Sequence, residues 1–181
     1  MKRNRCKTRL IPKSTLLPIP QTGQVVSYSE GDDGAYQYGI AFPNPRFTED
    51  GETVTDNMTG LVWLKNTNWF KITYTWGKAL AMCKYLSVDT FNDWRLPNVR
   101  ELMSLVDYGH AGNILPAGHP FYDVRPDVYW SSTTFAADTN AAFAMHMQNG
   151  AWTMVSKKTR FYVWPVRGPI ERLRSQPARK K

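Results

Sequence analysis

The chain is poor in cysteine, and its two cysteines stand apart. Cys6 lies in a basic tail and Cys83 in an apolar helical pattern. They offer no Cys-x-x-Cys or Cys/His spacing for zinc and no disulfide framework. A bond between them is not expected, and Cys83 reads as a small buried hydrophobe. Long apolar runs are missing too: none approaches the roughly 20 residues that span a bilayer. The first residues are cationic, but Pro12, Lys13 and Pro18 interrupt the apolar residues around them, so no convincing signal peptide is read there. Catalytic spacings are also absent: there is no nucleophile elbow, HExxH, P-loop or carboxylate pair. An acid–base enzyme would have to draw on His110, His119, His146, Asp93 and Asp107, which stand in no such arrangement. The chain is therefore read as a non-enzyme.

What it has in abundance is aromatic side chains: seven Trp, nine Tyr and eight Phe among 181 residues, enough to supply both a core and a binding face. The formal net charge of +8 is misleading about the body. Lys2, Arg3, Arg5, Lys7, Arg9 and Lys13 face no acid in residues 1–13, and residues 171–181 carry five cations against one acid, so residues 14–170 hold twelve basic against fourteen acidic side chains. The tails suit contact with a polyanion, nucleic acid or envelope, through counterion release. Equally they suit plain solvation of chain ends. Neither reading requires the body to bind a polyanion.

Pro12, Pro18 and Pro20 favour extended backbone, so the chain divides into a basic tail (1–22), one domain (23–170) and a basic C-terminal tail (171–181). Within the domain, Gly31-Asp32-Asp33-Gly34 and Glu49-Asp50-Gly51-Glu52 are turn chemistry, with short strands expected at 47–48 and 53–55. Calcium on Asp32, Asp33, Asp50, Glu52 and Asp56 is the one cofactor to weigh. It needs roughly six to eight oxygens, and these residues follow no EF-hand spacing, so turns are preferred and neither metal nor cofactor is expected. Residues 61–64 read as a buried strand. Trp76, Ala79, Leu80, Cys83 and Leu86 share a helical face behind a Thr75 cap. Asn98 and Glu101 form a capping box that opens a second helix with Val99, Leu102, Met103 and Val106 inward. Asp93 and Arg95 are close enough to pair or to satisfy buried backbone. Residues 109–127 read as a long loop. Alternation then puts Phe143, Met145 and Met147 on one face of a half-buried strand and Ala144, His146 and Gln148 on the other. Asn149-Gly150 signals a hairpin, and Tyr129–Thr134 and Tyr162–Gly168 look like paired rails of one sheet.

Eight ordered blocks carry a resemblance: Thr22-Gly23-Gln24, the 31–34 turn, Pro45-Arg46-Phe47, Val54–Asn57, Thr59–Trp63, Asp93–Leu102, Tyr129–Thr133 and Tyr162–Gly168. Over about residues 22–168 the chain resembles the domain-of-unknown-function 1566 family, also named after the C-terminal domain of the Legionella collagen-like protein. The resemblance implies a C-type-lectin-like α+β fold: two helices, a twisted antiparallel sheet and long loops, with a ligand face on the late strands. It further implies a bacterial or phage protein, mostly exported or surface-associated in this family, with an adhesin-like member that binds glycosaminoglycans. Some proteins of the fold are variable proteins rewritten by diversity-generating retroelements. The calcium-and-sugar tripeptides of true C-type lectins are missing here, and no cysteine follows Cys83 as formylglycine-generating chemistry would require.

The expected function is a non-enzymatic ligand-binding module for glycan or protein. Its face is read at Phe135, Asp138, Asn140, Ala144, His146, Gln148 and Trp152, with Lys157, Lys158 and Arg160 adding sulfate or phosphate contacts. Trp63, Asp93, Trp94, Arg95, Glu101, Trp130, Trp164 and Arg167 are expected to be scaffold. Diversification of residues 135–160 by a retroelement is the first alternative, since outward strand positions change without touching a core. Binding of nucleic acid or envelope through the basic termini is the second.

Overall fold

The structure, a computed structural model, describes residues 19–110 and 114–168; both basic tails lie outside the described residues apart from 19–22. In chain order the elements are α1 (Asp33–Tyr36), β1 (Phe47–Asp50), β2 (Thr53–Asp56), β3 (Val62–Leu64), α2 (Trp76–Lys84), α3 (Val99–Met103), β4 (Val128–Thr134), β5 (Ala141–His146), β6 (Trp152–Ser156) and β7 (Val166–Arg167). The protein is thus α+β with short helices and two antiparallel sheets, ordered β1-β2-β3-β7 and β4-β5-β6. The expected single sheet is replaced by two.

Local chemistry explains the elements. Gly51, at φ +55, turns β1 into β2, and register follows from Asp50 opposite Thr53 to Phe47 opposite Asp56. Thr75 occupies the cap position of α2 without a side-chain bond, whereas Asn98 and Glu101 complete both halves of the capping box on α3. On α2, Ala79 and Cys83 are buried and Lys78 and Lys84 exposed, as the periodicity requires. On α3, Met103 is 44% exposed and Leu105 is buried instead: the helix ends at Met103, and the following turn shifts the inward phase.

The two rails part company at Pro165. Tyr162 bridges Tyr129 in parallel, with Trp130 N–H donating to the Tyr162 carbonyl (3.0 Å) and Tyr162 N–H to that of Val128 (3.0 Å). Proline has no N–H for a ladder. Beyond it Val166–Arg167 joins the other sheet, with Trp63 opposite Val166. The same short run also exchanges two backbone bonds with Tyr74 at Phe161 (2.9 and 3.0 Å) and two with Arg95 at Val166 (both 2.9 Å). Residues 161–167 therefore stitch both sheets to the connecting segments.

Two cores result. The larger holds Trp63, Trp94, Leu102, Phe121, Tyr129, Met145 and Trp164. The smaller holds Ala79 and Cys83 of α2 with Val128, Trp130, Ala142, Ala144 and Val163. β5 sends Met145 into the first and Ala142 and Ala144 into the second, so the middle strand is covered on both faces.

Asp93 and Arg95 do not pair with each other. Arg167 Nε bonds Asp93 (2.7 Å) while its guanidinium lies 3.6 Å from the Phe91 ring centre. Arg95 grips Glu101 with two bonds (2.6 and 2.7 Å) and reaches the Gly168 carbonyl (2.9 Å). Glu101 is the better partner because α3 fixes its carboxylate through the Asn98 N–H (2.8 Å). Trp63, Trp130 and Trp164 are fully buried and Trp94 nearly so.

Among the described residues, Ile40 N–H donates to the Ile19 carbonyl (2.8 Å) and Gln21 N–H to that of Ile40 (3.0 Å). Asp32 caps α1 and accepts from the Tyr28 N–H (2.7 Å), which holds its carboxyl below the ordinary value. Gly23 lies so close to Asp107 that a β-carbon would sit 2.0 Å from its carboxylate oxygen. Among the described residues no helix is long and apolar enough to cross a membrane.

Candidate recognition surface

β5 and β6 run antiparallel, with Ala141 opposite Ser156, so the turn after β4 and the turn after β6 arrive at the same end of the second sheet. The first turn closes on itself: Phe135 N–H donates to the Ala141 carbonyl (3.0 Å), and Asn140 N–H to the Asp138 carboxylate (2.9 Å). The second is tied to it by Lys157, whose N–H donates to the Asn140 carbonyl (2.8 Å). Its ammonium bonds Thr134 Oγ1 (2.8 Å) and the Thr139 carbonyl (2.9 Å) and sits 3.9 Å from the Trp76 ring centre. An ammonium has three donors, so Lys157 is largely occupied in bracing the turns. Trp76 is anchored in turn by its indole N–H on the Ser131 carbonyl (2.8 Å). Arg160 bonds the Thr73 carbonyl (2.5 Å). Phe135 meets Phe143 edge-on at 5.7 Å.

This end gathers Phe135, Asp138, Asn140, Lys157, Lys158 and Arg160. Asp138, Asn140, Lys158 and Arg160 are exposed, and Phe135 and Lys157 half-buried. The remaining expected residues lie elsewhere. His146, Gln148 and Trp152 flank the opposite turn, where His146 N–H donates to the Ala151 carbonyl (2.9 Å) and Gly150 adopts φ +71. At about 3.4 Å per residue, β5 holds the two ends about 17 Å apart. Trp152 is opposite Met145 and packs partly on the larger core. Ala144 belongs to neither patch: it has no exposed surface. Alternation placed it outward, but its face of the strand carries the smaller core, where it clusters with the small α2 residues Ala79 and Cys83.

Trp76, Thr134 and Thr139 were not among the expected site residues. Trp76 reads in sequence as the first residue of an amphipathic helix, and nothing local signals that a lysine far along the chain will stack on it. The only cue is that Lys157, Lys158 and Arg160 form a cationic cluster, whose first member turns inward.

Four of the five candidate acid–base side chains have structural company. His110 faces Asp107 at 3.2 Å, and Asp93 pairs with Arg167. His119 stacks near Phe121 at 5.8 Å, and burial holds it below the ordinary imidazole value. Of the residues weighed for calcium, Asp56 is buried against Arg46 (2.7 Å), while Asp32 caps α1 and Asp33 accepts from Thr22 Oγ1 (2.5 Å). Among the described residues no group of three or more His, Cys, Asp or Glu is placed to hold a metal ion.

Comparison with family models gives a match to the Lcl C-terminal domain over residues 52–167, and the chain belongs to that family. No curated protein matches it.

Proposed function

As a member of the Lcl C-terminal domain family, the protein is, we propose, a non-enzymatic, adhesin-like recognition module with a C-type-lectin-like arrangement, holding its ligand where the 135–140 and 157–160 turns meet. The observation that carries this reading is the cross-brace made by Lys157 between the two turns. Turns fixed before binding spare the ligand the entropy of ordering them. The surface they present combines an aromatic edge at Phe135, a carboxylate at Asp138, an amide at Asn140 and cations at Lys158 and Arg160. That set hydrogen-bonds a glycan or a polar protein epitope, and the two cations favour a ligand bearing sulfate or carboxylate. No metal takes part.

Wild-type and variant proteins titrated on an immobilised glycan panel and on candidate protein ligands test this. Asn140→Ala and Lys158→Ala are each expected to weaken binding about tenfold, roughly the worth of one charged or well-placed hydrogen bond. Gln148→Ala at the opposite end leaves binding unchanged, and EDTA has no effect. Loss confined to Gln148→Ala and Trp152→Ala moves the site to the other turn. Loss on trimming residues 1–13 and 171–181, with a steep salt dependence, moves it to the basic termini.

A further inference from the structure

We infer that two copies of this chain pair edge to edge through β6, joining their three-stranded second sheets into one continuous antiparallel sheet. The phase of the β5–β6 ladder fixes which backbone groups are free to do this. His146 N–H donates to the Ala151 carbonyl (2.9 Å) and Lys157 N–H to that of Asn140 (2.8 Å), and between them the register is unbroken from Met145 opposite Trp152 to Ala141 opposite Ser156. Hydrogen-bonded and non-hydrogen-bonded positions alternate along an antiparallel pair. Thr153 and Val155 therefore aim their backbone groups at β5, and Trp152, Met154 and Ser156 aim theirs away from it. β6 is the last strand of its sheet. Among the described residues the only partner for these outward groups is the Thr159 N–H, on the Ser156 carbonyl (2.9 Å).

Open strand edges invite pairing, and proteins blunt them with charge, proline, a bulge or a covering segment. Among the described residues the other three sheet edges are treated in this way. The free side of β4 takes Tyr162 and, at Ser132, the Pro97 carbonyl (2.7 Å). Arg95 covers β7 at Val166, and β1 carries Glu49 and Asp50. β6 reads Trp-Thr-Met-Val-Ser, with no charge, proline or glycine and no shift of register. Its Met154 is 52% exposed.

The strand that matches this edge is the same edge of a second copy. With Met154 on the twofold axis, Met154 meets its own counterpart and Trp152 meets Ser156 of the other copy, so outward N–H groups face outward carbonyls along the whole strand. That is the self-matched surface of a twofold dimer. Thr153 then lies opposite Val155, two branched side chains suited to a sheet. Charge agrees: β6 holds no ion, and Lys158 comes beside Gly150 of the other copy, which keeps the cationic turns apart. An acidic partner strand finds no cation along β6 to pair with. Five residues a side is short against the roughly 20–30 of a standard interface, so the pair is a reversible one with Kd on the order of 100 μM. The antiparallel arrangement sends the two 157–160 turns to opposite ends of the joint sheet. On the reading given above for those turns, a pair carries two ligand sites facing opposite ways and links two ligand-bearing surfaces instead of gripping one twice.

Sedimentation of the full chain from about 10 μM to about 1 mM, with amide hydrogen exchange by NMR and no ligand present, tests the pairing. The mass is expected to climb from monomer toward dimer, and the Trp152 and Met154 amides to gain protection as it does, while those of Thr153 and Val155 are protected throughout. Met154→Pro removes a donor that points away from β5, and Met154→Lys puts like charges on the axis; each is expected to leave a monomer at every concentration. Asn140→Ala and Lys158→Ala, which test the turn site, leave the dimer intact, so the two readings fail separately. A wild-type monomer at about 1 mM, or a dimer that survives Met154→Lys, overturns the inference. So does protection at 152 and 154 that ignores concentration and disappears when residues 1–13 or 171–181 are trimmed, since the chain's own tail would then hold the edge. Should Met154→Pro fail to fold, Met154→Lys, at an exposed position, decides alone.

Discussion

Cys83 shows how much a single position is governed by its surroundings. It lies on α2 with no exposed surface, inside the cluster that contains Ala142, Ala144 and Trp130, and burial pushes its thiol up to about 12. The reactive species is the thiolate, so at neutral pH this sulfur is both protonated and covered. Iodoacetamide is expected to leave the Cys83 peptide unlabelled in the native protein and to alkylate it in denaturant, read by peptide mapping. Rapid native labelling would mean that α2 opens away from the second sheet. Arg46 makes the opposite point: Asp56 neutralises its charge, yet its Nη1 is buried with no hydrogen-bond partner among the described residues.

At the scale of elements, α3 depends on its first turn. Five residues are too few to sustain a helix by propensity, and the capping box of Asn98 and Glu101 with the Arg95 grip replaces what length does not provide. Glu101→Ala removes the return bond to the Asn98 N–H and both Arg95 contacts at once. A loss of about 2 kcal/mol is expected, between one cap and a charged hydrogen bond, measured by urea denaturation; a change under about 0.5 kcal/mol would show that packing alone holds α3. Elements of this sort were legible in the sequence because their determinants are local: the Asp50-Gly51 turn, the Asn98/Glu101 pair, the Asn149-Gly150 hairpin. The division into two sheets was not, since Tyr162–Trp164 before Pro165 and Val166 after it favour strand alike. Nor was the burial of Ala144 readable. Alternation reports that one face is apolar, but small residues on the other face look like surface until a helix is laid across them. Of the residues expected at the candidate site, Phe135, Asp138, Asn140 and Lys158 gather at one end of the second sheet and His146, Gln148 and Trp152 at the other, a separation that only the register of β5 reveals.

For the whole molecule, residues 161–167 are the common joint, bonded to Tyr74, to β4, to β3 and to Arg95. Neither sheet can release this run without disturbing the other, so both should unfold in one transition. Val166→Pro deletes the N–H that bonds Arg95 and is expected to cost on the order of 3 kcal/mol, with far-ultraviolet dichroism and tryptophan fluorescence still moving together. Separate midpoints for the two signals would mean the sheets are independent. β5, covered on both faces, bears on anyone who wishes to teach this scaffold a new target. A combinatorial library drawn through 141–147 would place its diversity inside the protein and return mostly misfolded clones. Written into 136–140 and 158–160 instead, two short loops already facing the same way, the same number of codons would vary only what a partner can see.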